Sequence, residues 1–161
     1  MRRLIPLLLL VGCGPATSDS PLVLNEFVAL NASGLAGPDL DFPDWIELHN
    51  PTGEDLPLAG FALSDDADDL GKHAFDPSLF VPAGGYVVVF ADGEEGLDRV
   101  GFRLSADGEA LILSELVDDV WAVVDGLTFG VQAADVSAAR LPDATGEWAF
   151  DDTPTPGAPN D

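Results

Sequence analysis

Between Pro21 and the C-terminus the chain never sustains helical periodicity over ten or more residues. Short apolar, β-branched or aromatic runs recur instead, each ended by Gly, Pro, Asp or Asn. They are LVLNEFVAL (22–30), DWIELHN (44–50), GFALSD (60–65), KHAFD (72–76), GYVVVFAD (85–92), EALILSE (109–115), VWAVVDGLTFG (120–130), SAARLP (137–142) and EWAF (147–150). The 17 glycines and 13 prolines supply the turns between them. Such a pattern predicts an all-β fold of about eight or nine strands, packed as a sandwich. A small barrel is the competing closure.

Individual runs carry more detail. DWIELHN alternates, with Ile46 and Leu48 on one face and Trp45, Glu47 and His49 on the other. GYVVVFAD is continuously apolar, which predicts a central strand covered on both faces. KHAFD is short and polar, as edge strands are. Gly126 predicts a bulge or bend within its strand. Asn50-Pro51-Thr52-Gly53 reads as a turn, Gly84-Gly85 as a tight strand entry with positive φ, and Asp107-Gly108 as a hairpin between FRLSA and EALIL. Trp45, Phe61, Phe90, Trp121 and Phe129 are expected in the core or at its margin.

The N-terminus has another character. Arg2 and Arg3 precede an apolar run from Leu4 to Gly12. Nine helical residues reach about 13–14 Å, against roughly 30 Å of bilayer hydrocarbon, so the run is no membrane span. It reads as a signal peptide over residues 1–12. Leu10-Val11-Gly12-Cys13 resembles the lipobox of bacterial lipoproteins, and Cys13 is the single cysteine of the chain. The resemblance implies cleavage before Cys13, a diacylglycerol on its sulfur and acylation of the new amino group. Two or more acyl chains suffice for stable anchoring where one does not. An ordinary signal peptide, cut elsewhere and leaving a free thiol, is the alternative. Residues 13–20 then form the lipidated cysteine and a flexible tether, and residues 21–161 a single domain.

All 29 Asp and Glu follow Cys13, opposed there only by Lys72, Arg99, Arg103 and Arg140, so the mature net charge is 4 − 29 = −25. Nucleic-acid binding, which requires Lys and Arg to neutralise phosphates, is excluded as an expectation. Adhesion to anionic headgroups is disfavoured for the same reason. Cations and basic partners are favoured.

Read together, LVLNEFVALN, DWIELHNPTGEDLPLAGFALSDD, VPAGGYVVVFAD, FRLSADGEALILSE, VDGLTFGVQAADVSAARLPD and TPTPGAPN resemble a lamin tail domain. The likeness runs from about Leu22 to Asn160. It implies an immunoglobulin-like β-sandwich and a binding or structural role rather than catalysis.

Candidate chemistry is sparse. There is no Gly-x-Ser-x-Gly nucleophile motif and no phosphate-binding loop, and the two histidines are His49 and His73. Asp65, Asp66, Asp68 and Asp69 are the candidate metal ligands, with Ca2+ as the ion. Asp66, Asp68 and Gly71 match the start of an EF-hand loop, but Pro77 stands where its bidentate Glu belongs. A solvated acidic loop is the plainer alternative, as it is for Asp39, Asp41 and Asp44 and for Asp118 and Asp119. The expected protein is thus a non-enzymatic binding or scaffolding module with no resident cofactor. It is lipid-anchored through Cys13 in a bacterial cell envelope, and Gly14 after the cysteine, where inner-membrane retention commonly has Asp, favours the outer membrane. Its ligand would be a protein or a glycan. The rival readings are a self-assembling component of a surface layer and a metal-dependent hydrolase.

Overall fold

The computed structural model describes residues 16–160. Eleven strands form among them: β1 (Val23–Val28), β2 (Asp44–His49), β3 (Leu56–Pro57), β4 (Phe61–Ser64), β5 (His73–Ala74), β6 (Phe80–Val81), β7 (Tyr86–Ala91), β8 (Ala110–Val117), β9 (Val120–Thr128), β10 (Ser137–Leu141) and β11 (Glu147–Asp151). All nine runs anticipated from the sequence contain a strand, and the two-residue β3 and β6 are additions. A five-stranded sheet has the order β11-β10-β1-β2-β7 and a four-stranded sheet the order β5-β4-β8-β9, with β3 and β6 paired separately. Every named pair is antiparallel.

The two larger sheets enclose one core. Phe27, Ile46, Leu48 and Val89 face it from one side, and Phe61, Leu63, Leu111 and Leu113 from the other. This is the immunoglobulin-like sandwich expected. Asp118 and Asp119 join β8 to β9 as a two-residue turn, both with positive φ (50° and 63°). That is the twist-matched geometry tight hairpins require, which short acidic residues tolerate.

Four local expectations are corrected. GYVVVFAD forms β7 at an edge of the five-stranded sheet, not at its centre. Its free side is covered by loop backbone: Phe90 N–H donates to Asp98 O and Val100 N–H to Phe90 O, both at 2.8 Å. That cover explains how an apolar strand survives at an edge.

The second correction concerns DWIELHN. Its alternation holds, yet both faces are buried: Trp45, Glu47 and His49 are at most 7% exposed. The outer face is roofed by the C-terminal segment, described below.

Asp107-Gly108 closes a turn, with Gly108 N–H donating to Ser105 O at 3.0 Å, but not a hairpin between two strands. Phe102 and Leu104 insert into the core as loop residues, and Arg103 bridges to Asp92 instead. Finally, the irregularity in β9 lies at Val124 and not at Gly126, because Leu113 pairs with Asp125 while Ser114 pairs with Val123. Val124 is the extra residue, and it packs on the core.

Candidate functional site

A bulge in β1 organises the most unusual region. Leu24 pairs with Leu48 and Glu26 with Glu47, which leaves Asn25 as an extra residue. The Asn25 amide is thereby placed on the outer face of the sheet. Its Nδ2 donates to Glu47 Oε1 (2.9 Å) and to Asp143 Oδ1 (3.0 Å). Its Oδ1 accepts from the amide of Ala144 (2.9 Å).

Glu26 and Glu47 are therefore neighbours on a covered face, 1% and 0% exposed. The segment TPTPGAPN supplies their donors. The amide of Thr155 donates to Glu26 at 3.2 Å, and that of Gly157 to Glu47 Oε2 at 2.6 Å. Gly157 has φ +83°, which a glycine adopts without strain. Asn160 closes the segment by donating its side chain to Asn25 O and Arg140 O, and its amide to Asp143 Oδ1. Tyr86 adds a hydroxyl donor to Asp143 Oδ2 at 2.7 Å.

Burial dominates the electrostatics of these groups. Burial pushes the Glu47 carboxyl up to about 7, against the donors Asn25 and Gly157, and the carboxylates of Glu26 and Asp143 add to the rise. Glu26 is raised for the same first reason. Burial also works against the Asp143 carboxylate, but its donors Asn160, Tyr86 and Asn25 outweigh it and hold Asp143 below the usual range. Tyr86 is pushed well above its ordinary value by burial and by Asp143. A carboxyl near neutrality suits proton transfer, but both Glu47 oxygens are occupied and sealed from solvent. The arrangement is a clasp for the C-terminal segment.

The structure places each site residue anticipated from the sequence, except Cys13 and the leader over residues 1–12, which lie outside the described residues. Asp65 forms an ion pair with Lys72, and Asp66 Oδ1 accepts from the amide of Asp68 at 2.9 Å. Asp68 and Asp69 stand on the exposed turn. Among the described residues no three His, Cys, Asp or Glu converge in a way that could hold a metal ion. The other acidic residues have local work. Asp39 pairs with Arg99, and Asp44 accepts from the amide of Asn31. Asp118 and Asp119 make the hairpin turn.

His49 lies buried, stacked on Tyr86 at 4.4 Å, with Nδ1 against Gly85 O. His73 accepts from the amide of Gly101 at 3.3 Å and lines an open cleft of about 420 Å³ with Lys72, Asp76 and Glu95. Burial lowers its pKa, which the nearby Glu95 opposes. Among the described residues neither histidine is hydrogen-bonded to a hydroxyl or a carboxylate.

The first described residues run along β9. Ala16, Thr17 and Ser18 border a cleft with Leu70, Val120, Trp121 and Val123, and Ser18 Oγ donates to Glu115. Val120, Val123 and Leu116 are exposed beside them.

Asn25, Asp143, Asn160 and Tyr86 were not singled out by sequence reasoning. The bulge that aims Asn25 leaves no mark in hydrophobic periodicity. The signal that was present is the closing Pro-Gly-x-x-Asn of TPTPGAPN, whose asparagine is the one that binds β1 and β10.

Two antiparallel sheets around one core, closed by their own C-terminal segment, define an immunoglobulin-like β-sandwich domain. A family model for the lamin tail domain matches residues 15–149, and the chain belongs to that family. Neither curated proteins nor solved structures yield a match to the chain.

Proposed function

We propose that this lamin tail domain protein is a non-enzymatic binding or scaffolding module, held in a bacterial envelope by acyl chains on Cys13. The outer membrane is the proposed location. The observation that carries the reading is the path of the first described residues. Ala16 to Ser18 lie against β9, and Ala16 is three residues from Cys13. Three residues span at most about 11 Å. A lipid on Cys13 would therefore hold the β8–β9 side near the bilayer and leave the remainder of the sandwich turned away from it.

The charge of −25 (4 − 29, after Cys13) supports attachment by acyl chains over attachment by headgroup electrostatics. It supports a protein, glycan or cation as ligand over nucleic acid.

Mass spectrometry of the mature N-terminus is the direct test. The expected product begins at Cys13 and carries a diacylglycerol with an acylated amino group. An unmodified Cys13 thiol overturns the anchor. Activity on generic phosphoester and glycoside substrates that disappears on chelation overturns the non-enzymatic reading in favour of a metal-dependent hydrolase. Light scattering of the detergent-solubilised protein distinguishes a monomeric module from a self-assembling surface component.

A further inference from the structure

The β8–β9 hairpin runs past the end of the sandwich. β4 begins at Phe61, opposite Glu115, and beyond that level β8 and β9 continue through the pairs Leu116–Trp121 and Val117–Val120. Leu116 N–H donates to Gly60 O at 2.8 Å at this boundary. The projecting end is apolar, yet Leu116, Val120 and Val123 are 43%, 49% and 52% exposed.

Leu116, Trp121 and Val123 share the outer face of the sheet, because Leu116 pairs with Trp121 and Ser114 with Val123. The loop over residues 65–72 covers the neighbouring part of that face. Ser114 Oγ donates to Leu70 O at 2.7 Å, and a β-carbon on Gly71 would stand 2.3 Å from Trp121 Nε1. The loop therefore fixes the indole and ends there. Leu116 and Val123 stay open among the described residues.

The chain enters the domain at this same end. Ala16, Thr17 and Ser18 border a cleft of about 480 Å³ with Leu70, Trp121 and Val123, and Ser18 Oγ donates to Glu115. Cleavage before Cys13 would put only residues 13–15 ahead of Ala16. Acyl chains on Cys13 then keep Ala16 within about 11 Å of the bilayer. A single helix with its side chains is about 10–12 Å across, so no folded partner fits between.

Charge narrows the surface further. Asp118 and Asp119 form the hairpin turn, Asp19 is exposed on the entering chain, and Asp68 and Asp69 on the covering loop. Lys72 at the end of that loop is paired with Asp65. A second copy docked here would bring these carboxylates together, and an anionic headgroup layer would repel them. A zwitterionic layer, with its ammonium groups, does neither.

We propose that the end of the β8–β9 hairpin rests on the zwitterionic surface of the host bilayer. Leu116, Trp121 and Val123 meet the boundary between headgroups and acyl chains, where an indole is favoured, and Asp118 and Asp119 stay among the headgroup ammonium groups. The domain is thereby held in one orientation instead of swinging on its tether. This rests on the proposed acylation of Cys13 and adds the face that touches the membrane.

The test reconstitutes the detergent-solubilised full chain into phosphatidylcholine vesicles whose acyl chains are brominated near the glycerol end. Tryptophan emission is compared with that in unbrominated vesicles. Bromination is expected to remove up to about a third of the emission, the share of Trp121 among three tryptophans. Trp121→Phe is expected to abolish that loss. Leu116→Asp with Val123→Asp is expected to reduce it about threefold or more. Leu116→Thr with Val123→Thr, which suits a strand, should lower it in the same direction even if the Asp pair disturbs the fold. Replacing about half of the lipid with phosphatidylglycerol is expected to lower the loss as well. No loss in the parent, with acyl chains found on Cys13, overturns the proposal and leaves the anchor standing. A loss that survives Trp121→Phe, or that neither pair of substitutions alters, also overturns it, since proximity through the tether would then account for the quenching. An equal loss in the phosphatidylglycerol vesicles overturns the preference for a zwitterionic surface. A Cys13 fragment without acyl chains removes the anchor, and the proposal falls with it.

Discussion

The amide of Gly157 donates to Glu47 Oε2 at 2.6 Å, a contact between residues 110 apart in sequence. It lies at the centre of the outer face of the five-stranded sheet, where Glu26 and Glu47 stand in register on β1 and β2. Two buried carboxylates side by side would be costly if unpaired. The C-terminal segment resolves that cost with backbone N–H groups, and Asn160 pins the segment in turn to Asn25 and Arg140.

Removing the pin tests the clasp. Asn160→Ala deletes two side-chain hydrogen bonds to buried carbonyls and leaves Asn25 O and Arg140 O without them. Urea denaturation should show a loss of about 2–3 kcal/mol. Asp161→Ala, at the next position, serves as the control for terminal editing. A loss below about half a kcal/mol for Asn160→Ala would mean that the segment rests on the sheet without stabilising it.

Acidity should stabilise the fold over a defined window. Glu47 titrates at about 7 in the folded protein against 4.5 for the free side chain. Between those values the folded state binds more protons than the unfolded state, so stability falls as pH rises through the window. The difference amounts to something on the order of 3 kcal/mol, complete above pH 7. Glu26, Asp44 and Glu109 are raised by burial and act in the same direction. Tm measured from pH 8 down to pH 5 is expected to climb. Glu47→Gln should flatten the slope, and identical slopes in parent and variant would exclude Glu47 as its source.

Arg140 joins the sheets by its shape as well as its charge. Its Nη2 contacts both oxygens of Asp125 at 2.8 and 3.0 Å, its Nε donates to Leu24 O, and its plane lies over Trp148. Lysine carries the charge without the planar fork. Arg140→Lys is therefore expected to cost about 1–3 kcal/mol in chemical denaturation, approaching the loss from Arg140→Met. A lysine variant as stable as the parent would assign the contact to charge alone.

Calcium provides a test of the Asp65–Asp69 turn. Asp65 is taken up by Lys72 and Asp66 by the amide of Asp68. Millimolar CaCl2 is expected to leave Tm where matched ionic strength from NaCl puts it. A specific rise would appear by mass action if the turn binds the ion. Its loss in the Asp66→Asn, Asp68→Asn double variant would place the ion there.

Strand positions were legible because they depend on neighbours in the chain. The alternation in DWIELHN and the Gly and Pro between runs are local signals, and each of the nine runs contains a strand. Edge or centre was not legible: VVVF in β7 has the composition of an interior strand, and loop residues 98–100 protect it at the edge. Nor was the second buried face of β2, since Glu47 and His49 are polar and only the returning C-terminal segment covers Glu47.

By itself the sequence determined the β class, the family likeness, the acidity and the separate character of the first twenty residues. The β class, the acidity and the separate leader follow from composition and from spacings within about ten residues, and the family likeness is a resemblance carried by motifs in order from Leu22 to Asn160. Tertiary structure decided which carboxylates lost water and which amides replaced it. Those outcomes join residues more than a hundred positions apart in the clasp, and no local pattern encodes where such distant segments meet.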